Sequence, residues 1–322
     1  MSKKLSIVIL NYYCLDVIKD CLQSFKKHQP QLDYEIIIVN NDDNKDSFRA
    51  FSEQYPEIEF VQNTGNWGFS SGCNLGASIA RGEHLLFLNP DTELTKSPAI
   101  DTMSSFLEDN PNVGIVSCRR IKKGKPEREI TFINPWLAIG WIRALYRLVH
   151  KKEISKKFQD ECDVWYPEWV AGSVVMISRV FFNKINGWSD KDFWMYVEDP
   201  DLCKKVHNNN KEIAILRRVE LKHAHGGSSR KNPKTTAITK SEVVTSTHVF
   251  IQKYTRGLNR VSLHLVMIID TLISWILRVG LTLVVFWKAA FKENLLTLLA
   301  IIRYYFNAVV RRTWKSKRLP PN

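Results

Sequence analysis

The segment that most constrains the fold is residues 85–94, which read Leu-Leu-Phe-Leu-Asn-Pro-Asp-Thr-Glu-Leu. A short continuous apolar run of this kind is typical of a strand that is buried on both faces of a parallel sheet. The run stops abruptly at Asn89, Pro90 and Asp91, which favour a turn. In open α/β sheets, ligands bind beyond the carboxyl ends of the strands. The segment therefore predicts a central strand that delivers the Asp91 carboxylate into a crevice.

The chain around this strand alternates between strand and helix patterns. Two β-α units in succession predict a parallel sheet with right-handed crossovers. Apolar runs and helical spacing predict strands at 5–10, 35–39, 58–62, 113–118 and 169–178, and helices at 16–27, 47–55, 74–80 and 100–107.

A glycine-rich segment at residues 63–76 leads into the predicted helix at 74–80. Glycine lets the backbone approach a ligand closely, and the amino end of a helix favours anions. The segment lacks both the dinucleotide-binding spacing and the Lys-Ser/Thr of a phosphate loop. This argues against a nicotinamide or ATP site.

Three carboxylates, Glu198, Asp199 and Asp201, follow the aromatic run Phe-Trp-Met-Tyr-Val at 193–197. Acidic residues at such a place are also typical of the first turn of a helix, where they complement the helix dipole. Because these charges follow five apolar or aromatic residues, we favour the wall of a pocket.

Few side chains are candidates for metal or redox chemistry. His223 and His225 alternate beside a glycine- and serine-rich loop, where they could ligate a metal or a phosphate. The six cysteines are scattered singly, which indicates reduced thiols and a cytosolic setting.

Two segments in the middle of the chain leave alternatives open. Residues 119–128 form a basic stretch interrupted by glycine and proline, and residues 136–149 are rich in aromatic side chains. A surface loop with a packed helix fits them as well as a role in acceptor binding or membrane contact.

The basic charge belongs to the tail. Most of the net charge of +13 comes from residues 253–322, which contain 12 lysines and arginines but only two acidic residues, Asp270 and Glu293. Two mostly apolar helices are predicted at 261–287 and 295–314, each with a polar stripe (Asp270, Ser274, Arg278 and Thr282; Arg303, Asn307 and Arg311). We expect them to lie in a membrane interface. A pair of packed helices, or a first helix that spans the bilayer, are the alternatives.

Together, these motifs resemble the family 2 glycosyltransferases, and within them the bacterial rhamnosyltransferase-like branch that builds O-antigen and other surface polysaccharides. The resemblance covers about residues 4–230 and is carried by the ordered set of Gly-Asn-Trp-Gly-Phe-Ser-Ser-Gly-Cys-Asn at 65–74, Leu-Asn-Pro-Asp-Thr at 88–92, Ala-Gly-Ser at 171–173 and Met-Tyr-Val-Glu-Asp-Pro-Asp-Leu-Cys at 195–203. It implies an α/β fold of the glycosyltransferase A type, a Rossmann-like mixed sheet flanked by helices, to which the C-terminal amphipathic helices are added.

The resemblance also implies roles for individual residues. Asp91, with His225 or less favourably His223, matches the site of a divalent cation, Mn2+ or Mg2+. Asp199 matches the catalytic base, and Glu198 lies beside it. The side chains expected on the acceptor side are Trp194, Tyr196 and Asp201.

The donor site is expected in the loops after the first strands. The family usually has an aspartate at the position of Asn40, so Asp42 and Asp43 are alternatives for contact with the base and ribose. The residues predicted to bind the donor are Asn11, Tyr12, Asn40, Asp42, Asp43, Gly68, Asn74 and Asn89.

We therefore predict an inverting, metal-dependent glycosyltransferase, with a nucleotide-sugar-dependent domain at 1–252 and a basic membrane-association region at 253–322. The expected donor is dTDP-rhamnose or a UDP-sugar, and the expected acceptor is a lipid-linked saccharide. The protein is expected to be peripheral, on the cytoplasmic side of the inner membrane, at an anionic surface. A non-catalytic nucleotide-sugar-binding or scaffold protein is the alternative. Nucleic acid is not an expected partner, because the basic charge lies among apolar helices.

Overall fold

The computed structural model describes residues 3–96, 98–127, 133–151, 162–223 and 232–320. Contacts within the chain divide it into two compact units, each assembled from several segments. The first comprises Met1–Thr131, Cys162–Asp190 and Glu198–Ser228, and the second comprises Phe132–Glu161, Lys191–Val197 and Ser229–Asn322. The division of functions at residue 252 stays a prediction.

The first unit is built on a mixed sheet. Its spatial order is β3-β2-β1-β4-β9-β6-β10-β5, with β7 paired to β6 and β8 paired to β10. The strands are β1 (Leu5–Asn11), β2 (Tyr34–Asn40), β3 (Glu59–Gln62), β4 (His84–Leu88), β5 (Thr92–Leu94), β6 (Val113–Lys122), β7 (Lys125–Pro126), β8 (Val164–Trp165), β9 (Val174–Ser178) and β10 (Glu212–His223).

The strand directions bring several chain segments to one edge of this sheet. Strands β1 to β4 run parallel, and β9 runs antiparallel to both β4 and β6. Strand β10 is parallel to β6. The carboxyl ends of β1, β2, β4, β6 and β10 therefore lie at the same edge as the start of β9. We call this the carboxyl edge.

The helices follow the predicted alternation. They are α1 (Leu15–Lys27), α2 (Lys45–Ser52), α3 (Phe69–Ile79), α4 (Ala99–Asp109), α5 (Gly140–Val149), α6 (Arg179–Lys184), α7 (Glu198–Asn208), α8 (Pro233–Tyr254), α9 (Gly257–Leu283) and α10 (Ala289–Arg311). Of these, α5, α8, α9 and α10 belong to the second unit.

The core of the first unit follows from the apolar strand runs. Every residue of β4 is buried, and β2 is buried from its second residue onward. Strands with such continuous apolar runs must be covered on both faces. The prediction of a central strand at residue 85 is confirmed, although its neighbour β9 is antiparallel.

Helix α3 begins five residues earlier than the sequence pattern predicts. It starts at Phe69, directly after Gly68, whose φ of 90° favours glycine. A Cβ at Gly72 would lie 2.2 Å from the Leu10 side chain, and one at Gly76 would lie 2.4 Å from Val8. These two glycines therefore let the helix pack closely on β1. The close approach of the glycine-rich segment to a ligand stays a prediction.

The second unit is helical and has a small core of its own. Side chains from α8, α9 and α10, with Ile139 just before α5, form this core, which consists of Ile139, Val244, Ile251, Leu263, Met267 and Ile301. The ring of Trp314 stacks on His248 and His264, at centroid distances of 4.5 Å and 4.3 Å. The chain beyond α10 is thus held against α8 and α9.

Helix α9 presents apolar residues outward and part of its polar stripe inward. Asp270 accepts a hydrogen bond from the Gly140 N–H (3.4 Å), and Thr282 accepts one from Asn294 (3.3 Å). The exposed stripe consists of Leu265, Ile269, Ile273, Leu277 and Leu281, each more than half exposed. Within the described residues, α9 alone is long and apolar enough to cross a membrane, judged by length and composition.

Candidate active site

Amide and carboxylate groups gather where β1 and β2 end. Asn11 and Asn40 are paired in register as the last residues of these strands. The Asn11 Nδ2 donates hydrogen bonds to Asn40 Oδ1 (2.6 Å) and to Asp42 Oδ2 (2.7 Å). Asn40 donates to Asp42 Oδ1 (3.1 Å), and the Tyr13 N–H donates to Asp42 Oδ2 (3.0 Å). Three of the predicted donor-binding residues therefore form one buried network.

Two tyrosines extend this network towards solvent. The rings of Tyr12 and Tyr13 meet edge to face, with centroids 4.9 Å apart. The Tyr13 hydroxyl donates to the Asp43 carboxylate, and this bond raises the pKa of Tyr13 to about 12. The sequence reasoning named Tyr12 and missed Tyr13, which is 44% exposed and adopts a left-handed backbone (φ 52°). Aromatic faces of this kind can stack against a nucleoside base.

The loop before α3 is tied to the same region. Asn41 Nδ2 donates to the carbonyl of Gly68 (2.9 Å), and Asn63 Nδ2 donates to Asn41 Oδ1 (2.9 Å). The predicted donor residue Gly68 is thus held next to the end of β2.

Asn74 and Asp201 fix the loop at residues 187–189. Asn74 donates to the Trp188 carbonyl (2.8 Å) and accepts from the Trp188 N–H (3.0 Å). The fully buried Asp201 accepts a hydrogen bond from Ser189 (2.6 Å). The predicted contacts of Asn74 with the donor and of Asp201 with the acceptor stay predictions, and the structure adds a positioning role for both.

The turn after β4 places Asp91 beside a histidine. Nε2 of the buried His223 lies 3.3 Å from Asp91 Oδ1 and 3.4 Å from Asn89 Nδ2. The backbone N–H of Asn89 donates to the Ser173 carbonyl (2.9 Å) just before β9. His223, the less favoured of the two histidines, is therefore next to Asp91, whereas His225 lies outside the described residues.

A buried arginine, Arg120 on β6, connects the groups at this edge. Its Nε lies 3.4 Å from Glu127 Oε2, and its guanidinium donates to Ser173 Oγ (3.0 Å). The Glu127 carboxylate in turn lies 3.5 Å from Nδ1 of His223. The sequence pattern places Arg120 in a basic stretch, which fits a surface loop as well as a role in acceptor binding or membrane contact. The signal that could have found it is the alternation of the strand, because Arg119 and Arg120 must point to opposite faces.

Asp199 lies in the first turn of α7, as the helix-start interpretation of these carboxylates predicted. It accepts a backbone hydrogen bond from Gly172, and a Cβ at Gly172 would lie 2.7 Å from Asp199 Oδ1. Burial raises the pKa of Asp199 to about 6, against the opposing effects of this hydrogen bond and of the Arg120 charge. A carboxyl group with such a pKa is suited to act as a base near neutral pH.

The aromatic run before α7 has an unusual backbone. Tyr196 and Val197 have φ values of 68° and 67°, a conformation that is costly for a β-branched residue. Glu198, which follows them, is buried. Trp194 is also buried, under the guanidinium of Arg318 at 5.4 Å. The acceptor-side roles of Trp194 and Tyr196 stay predictions.

The structure thus provides a continuous series of contacts between Asp91 and Asp199. It runs through His223, Glu127, Arg120 and Ser173, and then through Gly172, which follows in the chain.

The metal-binding capacity of this edge rests on few side chains. Among the described residues, no group of three or more His, Cys, Asp and Glu side chains could hold a metal ion. Asp91 and His223 supply one carboxylate and one imidazole. Mg2+ keeps several waters and binds through one or two carboxylates and the substrate phosphates, so the Asp91 carboxylate fits such an ion.

A sequence profile described as glycosyl transferase family 2 matches residues 6–166, which is half of the chain. The chain belongs to glycosyl transferase family 2. A second profile, described as the N-terminal domain of galactosyltransferase, matches residues 153–225. This second match contains Gly172, Asp199 and His223, so the two profiles together cover the whole carboxyl edge.

Several proteins with named activities are similar in sequence. A low-salt glycan biosynthesis hexosyltransferase of Haloferax volcanii is 27% identical over 69% of this chain and 68% of its own length. The rhamnosyltransferase WbbL of Escherichia coli is 24% identical over 62% of this chain and 75% of its own length. A poly(ribitol-phosphate) beta-glucosyltransferase of Bacillus spizizenii is 23% identical over 61% of this chain, but the match covers only 32% of that protein.

Solved structures confirm the family fold. The mannosyltransferase PcManGT from Pyrobaculum calidifontis, in complex with GDP-Man and Mn2+, has a TM-score of 0.55 over 97% of this chain and 88% of its own, at 13% identity. GalNAc-T7 with UDP, GalNAc and Mn2+ has a TM-score of 0.56 over 76% of this chain and 47% of its own, at 12% identity. The predicted glycosyltransferase A type fold, with further C-terminal helices, is therefore confirmed.

The contact between Gly172 and Asp199 gives a test of the site geometry in this family 2 enzyme. We expect Gly172→Ala to displace the Asp199 carboxylate, because the added Cβ would lie 2.7 Å from Oδ1. A displacement of about 1 Å can lower turnover about 100-fold. Sugar transfer and donor affinity should be measured together, and only transfer should fall.

Gly280→Ala is the matched control, because a Cβ at Gly280 meets no atom within 4 Å. Equal transfer rates for the wild type and Gly172→Ala would show that Asp199 is not held as described.

Proposed function

We propose that this protein is an inverting glycosyltransferase that moves a sugar from a nucleoside-diphosphate donor to a hydroxyl of a lipid-linked saccharide in surface polysaccharide synthesis. The observation that carries the proposal is the series of contacts that joins Asp91 to Asp199 at the carboxyl edge. Ligand phosphates and a catalytic base are both expected at such an edge.

The residues fall into two groups with different tasks. The network of Asn11, Asn40 and Asp42, with Tyr12 and Tyr13 beside it, would bind the nucleoside. Asp91 and a histidine, either His223 or the predicted His225, would hold Mn2+ or Mg2+. The bound cation would neutralise the charge that develops on the leaving diphosphate.

Asp199 would act on the acceptor. Its carboxylate accepts the proton of the acceptor hydroxyl while that oxygen attacks the anomeric carbon from the face opposite the diphosphate. The bond from the anomeric carbon to the diphosphate oxygen breaks, and the configuration inverts. The Gly172 N–H and the nearby Arg120 charge favour the ionised form of Asp199 against burial, so the base is available at neutral pH.

The comparisons support the donor class but leave the sugar open. The two structural neighbours contain UDP or GDP-Man together with Mn2+. One relative is a rhamnosyltransferase and another a hexosyltransferase, which supports L-rhamnose as one candidate among several. We propose dTDP-rhamnose or a UDP-sugar as the donor.

The second unit supports a membrane location. The outward stripe of α9 and the exposed Phe286 and Trp287 after it would otherwise be in contact with water. A large exposed apolar patch of this kind marks an interaction site. We propose peripheral attachment to the cytoplasmic face of the inner membrane, where a lipid-linked acceptor is found. Insertion of α9 across the bilayer is the alternative, because its 27 residues are long enough.

A non-catalytic nucleotide-sugar-binding or scaffold protein remains the second candidate. Asn40 and Asn89 stand where carboxylates would strengthen the acidic set, and this is the observation that favours it.

The first prediction for this function concerns donor binding. The purified protein should bind one of dTDP-rhamnose, UDP-GlcNAc, UDP-galactose and GDP-mannose more tightly with Mn2+ than with a chelator, as measured by calorimetry. Asp91→Asn should weaken metal-dependent binding at least about tenfold, because a charged ligand is lost. The exposed Asp109→Asn is the matched control. Equal donor affinity with and without metal would show that Asp91 does not hold a cation that contributes to donor binding.

The second prediction concerns the base. Asp199→Asn should lower the turnover number by about 100- to 10,000-fold while donor affinity is kept. Since the base must be ionised and its pKa is about 6, the wild-type rate should be constant at higher pH and fall about tenfold per unit below that value. Transfer rates from pH 4.5 to pH 8 give the profile, about 1.5 to 2 units to each side of the pKa. Full turnover by Asp199→Asn would refute the assignment of Asp199 as the base, whereas donor binding without any transfer by the wild type would favour the scaffold.

The third prediction concerns the apolar stripe. Replacement of Leu265, Ile269 and Ile273 by serine should reduce sedimentation with anionic vesicles about tenfold or more, because buried apolar area is lost. The control replaces the exposed Ile79 and Val180 of the first unit by serine. Unchanged sedimentation of the stripe variant would mean that α9 does not contact lipid.

A further inference from the structure

The second unit contains a cavity of about 240 Å³ between α8, α10 and the chain that follows α10. Its lining includes Arg303, Asn307 and Arg311, which form the polar stripe that the sequence pattern predicts on α10. This stripe therefore lines a concave site.

Positive charge converges on this cavity. Five cations line it, Arg303, Arg311, Lys315, Lys317 and Arg318, against one carboxylate, Glu242. Two of the cations have partners within the protein, since Arg318 pairs with Glu242 (2.7 Å) and Lys315 pairs with Asp192 (2.8 Å).

The other three cations of the cavity are Arg303, Arg311 and Lys317. Among the described residues, no carboxylate lies within ion-pair distance of Arg303, Arg311 or Lys317. Burial lowers the pKa of Lys317, and the charges of Arg303, Arg318 and Arg311 lower it further. Cations that repel one another around a cavity are stabilised when an anion occupies it.

The cavity wall is held in place by ring stacking and hydrogen bonds in addition to the two ion pairs of Arg318 and Lys315. Trp314 stacks on His248 and His264, and its carbonyl accepts a hydrogen bond from Tyr304 (3.1 Å). The buried Ser316 donates to Glu242 Oε1 (3.1 Å). The cations are thus presented by a pre-organised segment, which lowers the entropic cost of binding a ligand.

The surroundings of the cavity point to an amphiphilic ligand. On the same helix, Ile302, Phe306, Val309 and Val310 are exposed, and each is adjacent in sequence to, or within three residues of, a cation of the cavity. Pockets for drug-sized ligands usually measure about 300–1,000 Å³, so this cavity suits a headgroup better than a whole nucleotide-sugar.

We propose that this cavity binds the phosphate or diphosphate headgroup of a membrane lipid. Arginine is suited to the task because its planar guanidinium binds phosphate oxygens through two parallel hydrogen bonds. The inference rests on the proposed function in one respect, that the acceptor is a lipid-linked saccharide whose diphosphate is one source of this chemistry. The headgroup of an anionic phospholipid is the other source.

The test uses the full-length protein and two variants that lose the same charge. The pocket variant carries Arg303→Gln, Arg311→Gln and Lys317→Gln. The control variant carries Arg256→Gln, Lys288→Gln and Lys292→Gln, three exposed tail residues outside the cavity. Neutral phosphatidylcholine vesicles are doped either with polyprenyl diphosphate or with phosphatidylglycerol at equal surface charge, and sedimentation is measured with and without inorganic pyrophosphate.

The pocket variant should bind polyprenyl diphosphate vesicles about 100-fold more weakly than the wild type, because several charge-assisted hydrogen bonds are lost. The control variant should lose only the weaker, nonspecific attraction, and pyrophosphate should release the wild type from the vesicles. If the pocket variant lost as much affinity for phosphatidylglycerol vesicles as for polyprenyl diphosphate vesicles, the ligand would be the headgroup of an anionic phospholipid. Equal losses in both variants, or no release by pyrophosphate, would overturn the proposal.

Two further measurements separate a loss of headgroup binding from misfolding and from a loss of donor binding. Thermal unfolding verifies that the pocket variant is folded, and the pyrophosphate release of the wild type tests the site even if that variant is not. Donor binding, measured in parallel, should be the same in the wild type and the pocket variant. Donor binding without headgroup binding would refute this inference alone, whereas headgroup binding without donor binding would refute the proposed transferase.

Discussion

The arrangement of the carboxyl edge depends on the buried guanidinium of Arg120. A buried charge is costly unless it is paired and hydrogen-bonded, and Arg120 meets this condition through Glu127 and Ser173. The same charge opposes the rise that burial causes in the pKa of Asp199. Glu127 in turn lies 3.5 Å from His223. One side chain therefore connects the Asp91–His223 side of the site to Asp199.

The site also depends on places where a side chain would not fit. Gly72 and Gly76 let α3 lie directly on β1, and this contact fixes the loop that contains Gly68. At the opposite side, Gly172 lets the Asp199 carboxylate reach a backbone N–H. At Gly72, Gly76 and Gly172, the absence of a side chain thus brings protein elements into contact.

The sequence predicted those features that are local. The apolar run before Asn89 predicted the buried strand and placed Asp91 at its end, and the resemblance supplied the roles of Asp91 and Asp199. The direction of β9 could not be predicted, because an apolar run carries no information about the strand beside it. Arg120 was missed for a related reason, since a basic stretch reveals which side chain is buried only when the register of the sheet is known.

The tail shows the same limit in another form. The periodicity predicted its polar stripes, but not which way they face. In the structure Asp270 and Thr282 turn towards neighbouring helices. The helix buries Leu263 and Met267 in the core and also exposes leucines and isoleucines, so its apolar surface is wider than that of an ordinary surface helix. If this apolar face lies in lipid, the cations at the end of α10 belong at the level of the headgroups, where each contributes about 1 kcal/mol near an anionic surface. The same geometry that attaches the protein would then bring a lipid phosphate to the cavity.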